Sequence, residues 1–526
     1  MIYLIVFVII YLLITIYLSY LGYRRTVTVS DYLLAGRQMH PFVMAMGYVS
    51  TAISTSAIIG FGGMSGVYGL SFLWLSFLNI FVGVWVAYVL FGKRTRKMGK
   101  ALDAHTFPEL LGRRYESRFI QGFSGLLILF FMPLYASAVL IGVSRFVEVY
   151  LKIPFATALL GFSLISACYL LWGGLKGVFY TSVFQGAIMT VVMIILGIST
   201  YALAGGPAEA HRSLSALTPL VPESLRAMGH QGFASMPAFG SPIWWYVITT
   251  MILGVGIGVL GQPQLTVRFM TVKSDQEIHR SIPFAAFFYL SITGIAFVVG
   301  PLTNVVIHNR FGRLALDAAG GNIDKIIPFY IDHFYPQWFV ALFLVTLIAA
   351  AISTNSAQFH ALGTALSRDF FEQALMRGRS VAETTIVTRI GIVFGIFATL
   401  VLGLVLPESI VAVATAFFFG LCGATFIPSY FFGLYWRKAT GVAAKASMLC
   451  GFFCSLTWML FFHEQESKAI GLCKALVGRD TLAPLPWAMI DPQVVALPLS
   501  FIVFVVVALM TQPVSEETLR RAFRHI

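Results

Sequence analysis

The stretch AAAISTNSAQFH, residues 349–360, follows the apolar run ALFLVTLI and puts Ser353, Thr354, Asn355, Ser356, Gln358 and His360 within eight residues. Hydroxyl and amide oxygens at that density can replace the hydration shell of a hard cation without any formal charge. If residues 338–367 form one helix, Thr346, Ala350, Ser353, Ala357 and His360 fall on a single stripe, with Thr354 beside it. One or two such hydroxyls are explained equally well by close helix packing or by a bond to the carbonyl one turn back. Six polar side chains in eight residues exceed that, because polar groups inside a bilayer are costly unless they line a cavity or a site.

The elements that must position this stripe are membrane helices. Of 526 residues 58% are hydrophobic and 11% charged, and the mean hydropathy is +0.85, values that exclude a soluble globular domain. Thirteen apolar runs are long enough to cross ~30 Å of hydrocarbon. They cover 2–20, 41–66, 70–92, 119–144, 154–175, 178–204, 242–260, 284–306, 338–367, 390–406, 410–436, 446–462 and 494–510. The first lacks a preceding basic stretch and a following cleavage site, so it is expected to be a retained span. With alternating crossings, 25 of the 35 Lys and Arg residues fall on the side of the C-terminus and 10 on the other. This predicts a cytoplasmic C-terminus and an external N-terminus. The +13 net charge is thereby assigned to lipid headgroups and not to nucleic acid.

Other chemistries are thinly represented. Cys168, Cys422, Cys450 and Cys454 lie in spans and Cys473 is alone in a loop, so no disulfide framework is expected. No G-x-x-x-x-G-K-[ST] phosphate cradle occurs, and no loop is long enough for an enzyme domain. None of the 22 Asp and Glu residues lies in the middle of a span; Glu148, Asp369 and Glu408 sit at ends. Buried carboxylate relays are therefore disfavoured, and a bound cation needs neutral oxygens. A lone His360 near a span end reads as a hydrogen-bonded residue before a proton carrier. Two further spans are unusual. GYVSTAISTSAIIGFGGMSGVYG concentrates hydroxyls and then Gly60, Gly62, Gly63, Gly66 and Gly69, and GVGIGVLGQPQ carries Gly254, Gly256, Gly258 and Gly261 before Pro263. Glycine-interrupted spans at matching places in two halves of a chain point to unwound backbone at a binding site. Close packing explains the same glycines.

SDYLLAGR before span two, TFPELLGRRYESR after span three, LWGGLKGVFYTSVFQ between spans five and six, and AAAIST in span nine together resemble the sodium/solute symporter family over residues 30–440. The resemblance implies an all-α polytopic fold with a leucine-transporter-like core: a first five-helix repeat at 41–206, a second of inverted topology at 240–437, an extra span within 1–25, and two further spans and a tail at 440–526. It implies a sodium ion held by the backbone carbonyls of Ser50, Ile53 and Ala350 and the hydroxyls of Ser353 and Thr354. By the same analogy Ser54, Ala57, Trp74, Trp245 and Gly258 line the solute pocket, although Trp74 and Trp245 equally suit an interfacial aromatic belt.

GQPQLTVRFMTVKSDQEIHRSI and LIGVSRFVEVYLKIP are most similar to the sodium/pantothenate branch. Sodium-coupled import of a small carboxylate-bearing solute is therefore expected, with no cofactor, no covalent chemistry and no obligate protein partner, across a plasma membrane. A proline or other nutrient carrier of the same family is the alternative. Two departures bear on ion affinity and the exit route. Ser182 stands where many relatives carry Asp, and Ala52 where proline carriers carry Asp. Ala57 and Gly258 also lack the glutamine and aromatic gate of sugar carriers. A membrane sensor would need an output domain, for which only residues 511–526 follow the last span, and a channel would not need paired broken helices.

Overall fold

The computed structural model describes residues 2–24, 33–371 and 381–524; the side chains of residues 23, 167–176, 371 and 381–385 within them are excepted. Ser30, Asp31 and Tyr32 of the SDYLLAGR motif therefore lie outside the described residues. The described chain is helical throughout, with one isolated bridge between Met39 and Val272. The elements used below are α1 (Ile2–Arg24), α2 (Pro41–Ala52), α3 (Phe61–Tyr68), α4 (Phe107–Arg114), α5 (Arg118–Leu151), α6 (Phe155–Leu203), α7 (Pro263–Phe269), α8 (Ile295–Phe311), α9 (Gln337–Thr364), α10 (Val381–Val405) and α11 (Val411–Tyr435).

Eleven helices of the described residues are long and apolar enough to cross a membrane, against thirteen expected. Two expected spans account for the difference. The second, 41–66, is broken at Ile53 and Ser54, and its outer half is counted with span three in one helical run, Ser56–Ala101. That run reverses at Gly69, whose φ of 82° suits glycine, and Tyr48 on the inner half donates to the Gly83 carbonyl at 2.9 Å. Of the fifth, 154–175, Phe155–Ser166 is counted only as a shorter apolar helix, in the same helical run, α6, as the sixth. Both termini of α6 nevertheless meet one end of the bundle: Phe155 lies 4.0 Å from the Arg145 guanidinium, and Thr200 accepts a bond from Tyr330 at 3.1 Å. Gly177, between them, sits beside Ser19 near the end of α1.

The connections gather at two ends. At one, Arg96 pairs with Asp275 at 2.8 Å, Arg114 donates to the Gly433 carbonyl at 2.8 Å, and Met39 N–H donates to the Thr271 carbonyl. At the other, Lys325 pairs with Glu148 at 3.1 Å and Leu70 N–H donates to the Phe233 carbonyl. The first end holds the loops rich in Lys and Arg. α9 and α11 are buried along nearly their whole length, whereas α1 is largely exposed and apolar. The polar stripe is thus carried by a helix at the centre of the bundle and not at its lipid face.

Glycine sets the spacing of these central helices. A Cβ on Gly300 of α8 would stand 2.3 Å from the Gly62 carbonyl oxygen and 3.0 Å from the Gly66 nitrogen, so α8 and α3 cross in backbone contact. Asn304, one turn on, donates to the Gly66 carbonyl at 2.7 Å and locks that crossing.

Candidate ion and solute site

The helix that begins at Pro41 stops at Ala52 because Ile53 adopts extended backbone, φ −96° and ψ 109°. The break leaves carbonyls at the end of α2 without intrahelical partners. Ser54 Oγ accepts from Ser56 N–H at 3.1 Å and starts the next helical segment, so the break is capped on its outer side.

Directly across from the break lies α9. Ser353 Oγ is 2.8 Å from the Ser50 carbonyl oxygen and 3.0 Å from that of Ala350; Thr354 Oγ1 is 3.3 Å from Ser50 O and 3.5 Å from Ile53 O. Five oxygens, two hydroxyl and three carbonyl, therefore converge from two helices that are some 300 residues apart in sequence. Ser50, Ile53, Ala350, Ser353 and Thr354 are each at most 1% exposed. The positions i, i+3 and i+4 of α9 put its three contributors on one face. Among the described residues no group of three His, Cys, Asp or Glu side chains comes together, so neutral oxygens are what the fold offers a cation. Such a set suits a hard monovalent ion.

Above the break is a narrow cavity of about 30 Å³, room for a water or two and well below the volume of an open small-molecule site. Ser54 and Ala57 line it. Trp74, Trp245 and Gly258 do not. Trp74 is 53% exposed and packs edge-on against Phe77 at the outer surface. Trp245 is half-buried against Trp244. Gly258 serves a helix crossing: a Cβ there would lie 2.5 Å from the Phe419 carbonyl oxygen of α11, while its neighbours Val255 and Val259 face the cavity. The polar lining missed from sequence is Asn79, Tyr135, Tyr289, Thr293 and Thr415. A lone Asn in the apolar run WLSFLNIFVG is a signal that could have found the first of them. No basic side chain lines the cavity.

A model of the sodium:solute symporter family matches residues 32–451. The chain belongs to that family. Two relatives illustrate the breadth of solutes around this symporter. The sodium/pantothenate symporter of Haemophilus influenzae is 28% identical over 461 residues, covering 85% of this chain and 90% of the relative. The osmoregulated proline transporter of Bacillus subtilis is 25% identical over 455 residues, covering 86% and 87%. A solved sodium-coupled sialic acid symporter in a substrate-bound outward-open state matches with a TM-score of 0.75 at 17% identity, covering 98% of both chains. The symporter thus has the leucine-transporter-like all-α fold and couples solute transport to sodium.

Ser182 of this symporter is fully buried on α6, and its hydroxyl has no hydrogen-bond partner. One turn further along α6, Gly186 abuts Met46 and Ser50 of α2. A carboxylate at position 182 would face the same part of α2 as the oxygens described above. Ser182→Asp is expected to lower the half-saturating sodium concentration severalfold in uptake assays; unchanged sodium dependence and turnover would make the residue incidental.

Proposed function

We propose that this protein imports a small carboxylate-bearing solute, of pantothenate-like or monocarboxylate type, together with sodium across a plasma membrane, by alternating access. The observation that carries the reading is the convergence of Ser353 and Thr354 on the carbonyls of Ser50 and Ile53 at a broken helix. Sodium held there ties α9 to α2, so its binding favours one arrangement of the two repeats, 41–206 and 240–437, and its loss to a low-sodium cytoplasm releases them. Ile53 contributes to the ion set and also lines the cavity, which links ion and solute through one residue. The basic loops face the cytoplasm and the N-terminus lies outside.

The cavity's lining supports an anionic or zwitterionic solute in a specific way. It offers no Arg or Lys, but the helical segment starting at Ser56 points its N-terminal end into it beside Ser54. Helix N-termini and a neighbouring sodium ion can together neutralise a carboxylate. Asn355 and Gln358 are fully buried, and no polar atom of either amide has a partner. Each such group costs about 1–3 kcal/mol until water or a ligand reaches it.

Uptake into proteoliposomes under an inward sodium gradient tests the reading, with labelled pantothenate, short monocarboxylates and proline, and a proton gradient alone as control. Sodium-driven accumulation of pantothenate or a monocarboxylate is the expected result. Accumulation of proline alone would move the solute to the amino-acid class, and accumulation driven only by protons would reassign the ion.

A further inference from the structure

A second cavity lies at the end of the bundle that holds the basic loops, separate from the central one and, at about 30 Å³, likewise closed down to the size of a water or two. Its polar lining comes from segments that meet only in the fold: His105 and Thr106 before α4, Gln264 and Arg268 on α7, His360 on α9, and Asp369 just beyond α9. Arg268 is 1% exposed. Its Nη2 donates to Thr51 Oγ1 at 2.9 Å and its guanidinium lies 4.3 Å from the centre of the Phe179 ring. Its Nη1 has no hydrogen-bond partner, and no carboxylate among the described residues pairs with it. An interior cation without a counter-ion is costly to keep, and a structural role at Thr51 needs a hydrogen-bond donor and not a fixed charge.

The rest of the polar lining adds further unpartnered atoms. Gln264 is one turn before Arg268 and on the same face of α7. Its Nε2 donates to Gln262 Oε1 at 3.1 Å, which leaves its Oε1 as a buried acceptor without a partner. Asp369, also on the lining, accepts at Oδ1 from Thr106 at 2.8 Å and from Gln121 at 3.0 Å, while its Oδ2 has no partner. The lining therefore holds a guanidinium nitrogen, an amide oxygen and a carboxyl oxygen that are each unpartnered.

We propose that this cavity is a release-side binding station for the transported solute, in which Arg268 Nη1 takes the carboxylate and Gln264 Oε1 takes a hydroxyl or N–H donor next to it. The inference rests on the reading that the solute bears a carboxylate. It goes beyond that reading in adding a second carboxylate site, built on a side chain charge that the central cavity lacks. Thr51 joins the two stages: it bonds Arg268, and its neighbour Ser50 supplies a carbonyl to the ion set. A carboxylate freed when sodium leaves the end of α2 thus meets a cation held on that same helical turn.

The test uses the purified full-length protein in potassium buffer without sodium, so that its result is independent of the coupling ion. Thermal unfolding midpoints are compared for potassium lactate against lactamide and for potassium pantothenate against pantothenol, with potassium chloride at equal ionic strength. In the wild type the carboxylates are expected to raise the midpoint by about 2 °C at ten times their dissociation constant. The neutral counterparts should not. Arg268→Gln, which can keep the bond to Thr51, is expected to bind the carboxylates at least about tenfold more weakly, and Arg268→Lys to recover most of the effect. Equal shifts in Arg268→Gln and wild type overturn the proposal, as do equal shifts with the neutral compounds or none beyond chloride. If Arg268→Gln does not fold, Gln264→Leu carries the test: lactate should lose its advantage over propionate, and an undiminished advantage overturns the assignment. Carboxylate binding that survives while sodium-driven uptake fails would refute the coupling and leave this site standing.

Discussion

The double variant Ser353→Ala/Thr354→Ala is expected to require at least about tenfold more sodium for half-maximal uptake, since two net oxygen contacts of about 1 kcal/mol each amount to tenfold or more in affinity. Both hydroxyls reach across to α2, at 2.8 and 3.3 Å from the Ser50 carbonyl, so they are the oxygens whose removal separates the two helices' contributions. Alanine fits in their place without clash and is a better helix former than either, so lost expression is not the expected outcome. Ser356→Ala is the matched control. Its hydroxyl bonds the Ile352 carbonyl of its own helix, and its loss should leave sodium dependence within about twofold, as for a local back-bond. Sodium-dependent uptake measured for the three proteins decides the matter. An unchanged half-saturating concentration in the double variant would remove α9 from the ion site.

Gly300→Ala is expected to destabilise the protein by about 3 kcal/mol or more through overpacking, although helix propensity alone predicts a gain of about 1 kcal/mol. The two effects have opposite signs, which makes the result decisive. The added methyl would stand 2.3 Å from the Gly62 carbonyl oxygen, a backbone atom that cannot rotate away. α8 and α3 would have to separate, and Asn304 would lose its bond to the Gly66 carbonyl. A lower unfolding midpoint and reduced expression are the expected readouts. A midpoint equal to or above the wild type would show that the α3–α8 crossing has slack. Because α3 continues from the break at Ile53, the surviving protein should also show a weakened response to sodium.

Hydropathy and periodicity are local properties, and they were enough to read the membrane class, the central polar helix and the face shared by Ala350, Ser353 and Thr354. A helix with i, i+3 and i+4 polar positions presents them together whatever surrounds it. A weak second span was expected from its hydroxyls and glycines, but the break falls at Ile53 and Ser54, and Gly60, Gly62, Gly63 and Gly66 lie within the helical run beyond it. The meeting of Ser50 and Ile53 with α9 came from family resemblance, since nothing in either segment specifies its partner.

What each glycine does was decided only by packing. Gly62 and Gly300 allow backbones to touch, Gly258 allows α7's preceding segment to cross α11, and Gly69 permits a reversal. The letters are identical in all four cases; the neighbour supplies the role. Orientation about a helix axis settled the tryptophans. Trp74 faces outward while Asn79 on the same run faces the cavity, a rotation that depends on which side of the run meets another helix. Arg268 shows the same limit from the other direction. Its place in the motif GQPQLTVRFM says nothing of its surroundings, and only the folding of α2, α6 and α7 around it buries the guanidinium with one nitrogen left open. Sequence alone determined which groups this chain can place in a membrane, because burial of apolar surface and backbone satisfaction act residue by residue along a helix. Tertiary structure decided which of those groups face one another, because contact between helices distant in sequence is set by the shapes of both partners at once.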